Sequence, residues 1–89
     1  MRRRARWMTG NDDKILELLA QGRLALNKKA IMVNFELRDI DISYSTVKRR
    51  LPMLEEAGLV KMVREQGGYY QITDDGLAYL NEEFEPPEL

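Results

Sequence analysis

Eighty-nine residues, 44% of them hydrophobic and 33% charged, make one small globular domain, and the lack of any cysteine or histidine excludes disulfides, thiol chemistry and every metal ligand except carboxylates. The formal net charge of -1 hides an asymmetry: residues 73 to 89 carry six acids and no base, which leaves residues 1 to 72 with fourteen bases against nine acids, a net +5, so the body can attract a polyanion. No apolar run approaches the roughly 18 to 20 residues that span a bilayer, and no hydrophobic stretch follows the charged start "MRRRARWM" as it would in a signal peptide, so a cytoplasmic protein with no membrane partner is expected.

An arm comes first. Residues 1 to 8 hold Arg2, Arg3, Arg4 and Arg6 and read as a disordered basic segment that either follows a DNA minor groove or keeps the terminus soluble. Trp7 and Met8 read as packing residues. The folded domain is expected from residue 9 to residue 84. In "TGNDDKILELLAQGRL", Thr9, Asn11 and Asp12 favour a helix start, and Ile15, Leu18 and Leu19 repeat with helical spacing until Gly22 ends the pattern. This predicts a first helix over about residues 11 to 21, with Asp12 and Asp13 as helix-start charges.

Asn27 is the natural cap of a second helix, over about residues 28 to 37, that buries either Ile31 and Phe35 or Ala30, Val33 and Leu37. "RDIDI" breaks the period, and Ser43 caps a third helix that runs to Ala57 and stops at Gly58. "LVKMV", "REQGG" and "YYQI" read as strand, turn and strand. Thr73 then caps "DDGLAYLNEEF", whose first turn carries Asp74 and Asp75 where the helix dipole favours them. That fourth helix is predicted to end near Phe84, leaving "EPPEL", residues 85 to 89, as a frayed acidic tail. Three helices, a two-stranded wing and a C-terminal helix make a mainly α chain with a small β-hairpin, the order of a winged helix-turn-helix.

The third helix carries the functional signal. At 100° per residue, Val47, Leu51 and Leu54 share a side that packs on the core, with Arg50 at its edge. Ser45, Lys48, Arg49 and Pro52 fall on the other side, flanked by Tyr44 and Thr46. Hydroxyls and cations thus lead the helix while the acids Glu55 and Glu56 trail it, which suits entry into a DNA major groove N-terminus first. Pro52 frees the carbonyl of Lys48 on the wet side, where water satisfies it; it either bends the helix between its reading and packing halves or is simply tolerated there. The candidate DNA contacts are Ser43, Tyr44, Ser45, Thr46, Lys48, Arg49 and Arg50 in this helix, Lys61, Arg64, Gln66, Gly67 and Gly68 in the wing, and the four arginines of the arm. Tyr69 and Tyr70 read as packing groups.

A chain of this size buries only roughly 60 to 65% of its unfolded surface, and with disulfides and metals excluded a second copy is the remaining staple. Leu77, Leu80 and Phe84 form the stripe expected to meet it in a homodimer. No general base or nucleophile stands out, no acidic pair has a third ligand to hold a metal, and the sequence bears no trace of a cofactor or effector ligand, so no enzyme is expected.

Three blocks, "RWMTGNDDKILELL", "ISYSTVKRRLPMLEEAGLV" and "GGYYQITDDGLAYL", together resemble the small winged-helix regulators of haloarchaea related to the phage phiH repressor, and more loosely the MarR-like group, over about residues 5 to 84. The resemblance implies an archaeal, homodimeric, DNA-binding transcriptional regulator, with the helix that starts at Ser43 as recognition element and the Gly67-Gly68 hairpin as wing. The reading is a sequence-specific regulator of double-stranded DNA, a repressor that occupies an inverted-repeat operator. The alternative is a winged helix used as a protein-interaction module, without direct DNA binding.

Overall fold

Four side-chain caps decide where the helices begin. Thr9, Asn27, Ser43 and Thr73 each sit in extended backbone and accept a first-turn N–H that the helix cannot satisfy itself. In the computed structural model, which describes residues 2–89, they open α1 (Gly10–Ala20), α2 (Lys28–Leu37), α3 (Tyr44–Glu56) and α4 (Asp74–Leu80). The strands β1 (Val60–Arg64) and β2 (Tyr69–Ile72) lie between α3 and α4. Met1, the first residue of the expected arm, lies outside the described residues.

Ile15, Leu16 and Leu19 of α1 meet Ile31 and Phe35 of α2 and Val47, Leu51 and Leu54 of α3 in the core, which Leu59, Val60, Tyr70, Ile72 and Tyr79 close. For α2 the two candidate faces are resolved in favour of Ile31 and Phe35, while Val33 and Leu37 face solvent. The winning face has the larger side chains, and burial stabilises in proportion to apolar area.

The wing is an antiparallel pair in which Val60 faces Ile72, Lys61 faces Gln71 and Met62 faces Tyr70, with a register shift between Met62 and Arg64 that accommodates Val63 as an extra residue. At its tip Gly67 (φ 87°) and Gly68 (φ 66°) both take the left-handed conformation. The other edge of β2 is not bare. Leu26 and Tyr70 exchange both backbone bonds at 2.9 Å, which ties the α1–α2 connection to the hairpin.

Three expectations for the chain ends need correction. Helix α4 stops at Leu80, four residues short of Phe84: Glu82 turns left-handed (φ 63°) and the Glu83 N–H bonds back to the Ala78 carbonyl, which redirects the chain so that Phe84 packs against the core. The tail is docked, not frayed, because Pro86 is buried, the Pro87 carbonyl accepts the Trp7 indole N–H at 2.9 Å, and the Glu88 carboxylate accepts the Arg6 backbone N–H. The arm is docked too. Arg2 pairs with Glu17 at 2.9 Å and donates to the Leu80 carbonyl, Arg4 donates twice to Asp13, Arg3 faces Glu85 at 3.5 Å, and Ala5 is buried. Acids from α1 and from the tail therefore hold three of its four arginine side chains.

Asp12 and Asp13 are more than helix-start charges. Both are buried. Asp12 closes a capping box with Thr9 and receives Arg50, and Asp13 accepts the Tyr79 hydroxyl as well as Arg4. Burial, joined by the hydrogen bond and charge of Asp13, pushes the Tyr79 phenol well above its ordinary pKa.

Candidate nucleic-acid interface

Helix α3 turns one face to the core and one to solvent, as its amphipathic spacing requires. Val47, Leu51 and Leu54 are completely buried, whereas Tyr44, Ser45, Lys48, Arg49 and Pro52 are exposed. The helix continues through Pro52 without a break, because the ring lies on the solvent side. Ser43 and Thr46 use their hydroxyls locally: the Ser43 oxygen accepts the Thr46 N–H at 3.2 Å and lies 3.0 Å from the Thr46 hydroxyl. Among the described residues, Ser45, Lys48 and Arg49 make no such bond, which leaves their polar ends available to a partner.

Arg50 departs from the expected set. Its Nε and Nη2 donate to the two carboxylate oxygens of Asp12 at 2.9 and 2.8 Å, and Nη2 also donates to the Trp7 carbonyl at 2.7 Å. With its side chain 13% exposed, the guanidinium is spent inside the protein on Asp12 and Trp7. The position explains why: Arg50 lies three residues from Val47 and four from Leu54, on the flank of the buried stripe and within reach of α1.

The wing divides into two parts. At the tip, Gly67 and Gly68 close one side of a shallow cleft whose other walls are Tyr44 from the first turn of α3 and Asn27, Lys28 and Lys29 from the start of α2. At the root, Lys61 lines a separate cleft with Arg23, Asp74 and Asp75. Arg64 lies over the Tyr69 ring, 5.6 Å from its centroid, an arrangement that stiffens the wing while the residue stays exposed. Gln66 is exposed at the turn.

Lys28 and Lys29 were not singled out from sequence, although a signal was present. Two lysines directly after the N-cap Asn27 stand where the helix dipole disfavours cations. Among the described residues, none of Lys28, Lys29, Lys48, Arg49, Lys61 and Arg64 joins an ion pair, whereas Arg2, Arg3, Arg4, Arg23 and Arg50 all do. Unpaired cations from α2 and α3, together with the glycine tip of the wing, thus border the exposed start of α3. Leu77, Leu80 and Phe84 lie half-buried against the protein's own core, each with part of its surface left in solvent. Among the described residues no helix is long and apolar enough to cross a membrane, and no acidic cluster is arranged to hold a metal ion.

A family model described as a winged helix-turn-helix phage repressor matches residues 1–89. The fold is shared with the crystal structure of the PhiH1 repressor-like protein from Haloarcula marismortui, at a TM-score of 0.73 and 40% sequence identity over 93% of this chain and 88% of that one. None of the curated proteins matches. Helix order, hairpin and whole-length match agree, and the chain belongs to the winged helix-turn-helix phage repressor family.

Proposed function

We propose that the protein is a DNA-binding transcriptional regulator, a repressor that occupies its operator as a homodimer and reads it with the solvent face of α3. The observation that carries this reading is the set of unpaired cations around the start of α3: Lys48 and Arg49 on the helix, Lys28 and Lys29 beside it, and the wing alongside. Such a set neutralises phosphates on both sides of a groove while the helix between them reaches base edges. In this reading Arg49 is the base-reading residue, since its planar fork matches the O6 and N7 acceptors of guanine. Lys48, Lys28 and Lys29 hold phosphates, as do Arg64 and Gln66 on the wing. Ser45 and Tyr44 complete the contact, and the arm plays the smaller part because three of its four arginine side chains are already paired. In a homodimer the two reading helices address half-sites about 34 Å apart, in an inverted repeat.

Two titrations test this, each on a duplex selected by the protein from a random pool and on a scrambled duplex, at several salt concentrations. Arg49→Ala should cost about 1 to 3 kcal/mol on the selected duplex and much less on the scrambled one. Arg64→Ala should weaken both alike and lower the magnitude of the salt slope by about 1 per protomer. Equal losses on both duplexes for both variants would make Arg49 a phosphate clamp. No loss for either would hand the scaffold to protein interaction.

A further inference from the structure

Aliphatic contacts fix which side of a helix faces the core but set its angle about the axis only coarsely, because hydrophobic burial is non-directional. Val47, Leu51 and Leu54 attach α3 in this way. Arg50 adds what they lack. Its bidentate pair with Asp12, at 2.9 and 2.8 Å, has the directional geometry of two parallel bonds, and a third bond at 2.7 Å to the Trp7 carbonyl adds a further restraint on the guanidinium. The same group lies 5.7 Å from the centroid of the Trp7 ring.

Both partners are themselves held. Asp12 is fully buried in the first turn of α1, where its carboxylate also accepts the Thr9 backbone N–H at 2.8 Å. Trp7 is tied to the tail through its indole N–H and the Pro87 carbonyl, and the neighbouring Arg6 N–H is tied to Glu88. Among the described residues, Arg50 is thereby the α3 side chain whose hydrogen bonds lead, through Trp7, to both the arm and the tail.

We propose that Asp12, Arg50 and Trp7 form a clamp that sets the rotation of α3 about its axis, and with it which outward side chains a DNA groove meets. The proposal rests on the reading of α3 as the DNA-contacting helix. Arg50 is then a positioning residue that acts through Arg49 and Lys48. Side-chain tips stand roughly 5 to 6 Å from a helix axis, so a rotation of about 20° moves an outward tip by about 2 Å. That displacement breaks a bidentate base contact, which tolerates little misalignment, but leaves a phosphate within reach of a long cation.

The experiment uses the full chain in three variants: Asp12→Asn, Arg50→Lys, and the double Asp12→Asn with Arg50→Met, which orphans no buried charge and so preserves the fold. Each is assayed for cooperative urea unfolding, for acrylamide quenching of Trp7, the single tryptophan of the chain, and for affinity to the pool-selected and scrambled duplexes. The clamp predicts that the double variant unfolds cooperatively, that its preference for the selected duplex falls about ten-fold with scrambled binding nearly unchanged, and that Trp7 is quenched more readily. It also predicts that Asp12→Asn, with Arg50 still present, loses preference. If the double variant keeps its preference, the ion pair serves the fold alone and the proposal is overturned. If Arg50→Lys loses preference while Asp12→Asn keeps it, Arg50 touches DNA itself, which overturns the proposal equally. A wild-type protein that enriches no duplex from the pool defeats the DNA reading instead, and the clamp then stands or falls on whether Trp7 quenching rises in the double variant.

Discussion

Tyr79→Phe isolates one buried hydrogen bond while conserving the ring that fills the space between α4 and α1. The Tyr79 side chain is fully buried and its hydroxyl donates to Asp13, itself buried, so the bond is one to a charged acceptor shielded from water. Such bonds contribute about 1.5 to 3 kcal/mol. The lower half of that range applies here, because Arg4 still donates twice to Asp13 and Arg2 stands 3.5 Å away, so the carboxylate is not orphaned. A loss of about 2 kcal/mol corresponds to about 8 to 16 °C in Tm for a domain of this size. The pH dependence follows from the direction of the Tyr79 shift. Burial first, then the bond and charge of Asp13, raise the folded pKa above the unfolded value of about 10, so the folded state holds the phenol proton more tightly. The stabilisation is complete below pH of about 10 and is lost as pH rises from there through the folded pKa. Tyr70, also raised by burial, is common to both proteins and cancels in their difference. Urea midpoints for wild type and variant, taken at neutral pH and at intervals above about pH 9.5, should show a constant gap that then narrows. A gap under about 0.5 kcal/mol at neutral pH, or one that widens with alkalinity, would refute the assignment.

Gly76→Ala should destabilise by about 3 kcal/mol in urea or thermal melts, since its Cβ would meet the backbone carbonyl of Leu59, which cannot move aside, as well as the Ile72 side chain at 2.6 Å. Deleting residues 85 to 89 removes the Trp7–Pro87 bond, the Glu88 contact with Arg6 and the burial of Pro86. It should cost about 1 to 2 kcal/mol and raise acrylamide quenching of Trp7, and unchanged quenching would mean that the tail does not hold the indole. The half-exposed Leu77, Leu80 and Phe84 are the surface expected to meet a second copy, so sedimentation on the order of tens of micromolar should give a dimer weakened by Phe84→Glu. A clean monomer of 10.4 kDa in the wild type would rule that surface out.

What could be read without coordinates was whatever is decided within a few residues of chain. Thr9, Asn27, Ser43 and Thr73 cap their helices because a short polar side chain and an orphan amide lie two or three residues apart, and such pairs are visible in sequence. The apolar repeat of Val47, Leu51 and Leu54 predicts which side of α3 is buried, and with it which side Ser45, Lys48 and Arg49 expose. The Gly67-Gly68 turn between two β-prone runs predicts the wing in the same way.

What only the tertiary structure decided involves partners far apart in the chain. Local spacing places Arg50 at the edge of the α3 stripe but is silent on Asp12, thirty-eight residues away, which turns its guanidinium inward. The arm and the tail show no helical or strand period, so each reads as disordered, yet Arg2 and Arg4 find α1 acids, and Trp7 finds Pro87, eighty residues away. Helix α4 could run to Phe84 by propensity alone; it ends at Leu80 because turning back lets Phe84 pack on the core. Pattern reports which residues prefer burial or a helix, while the direction in which a charged side chain points depends on which opposite charge the folded chain brings within about 3 Å of it, a quantity no local period contains.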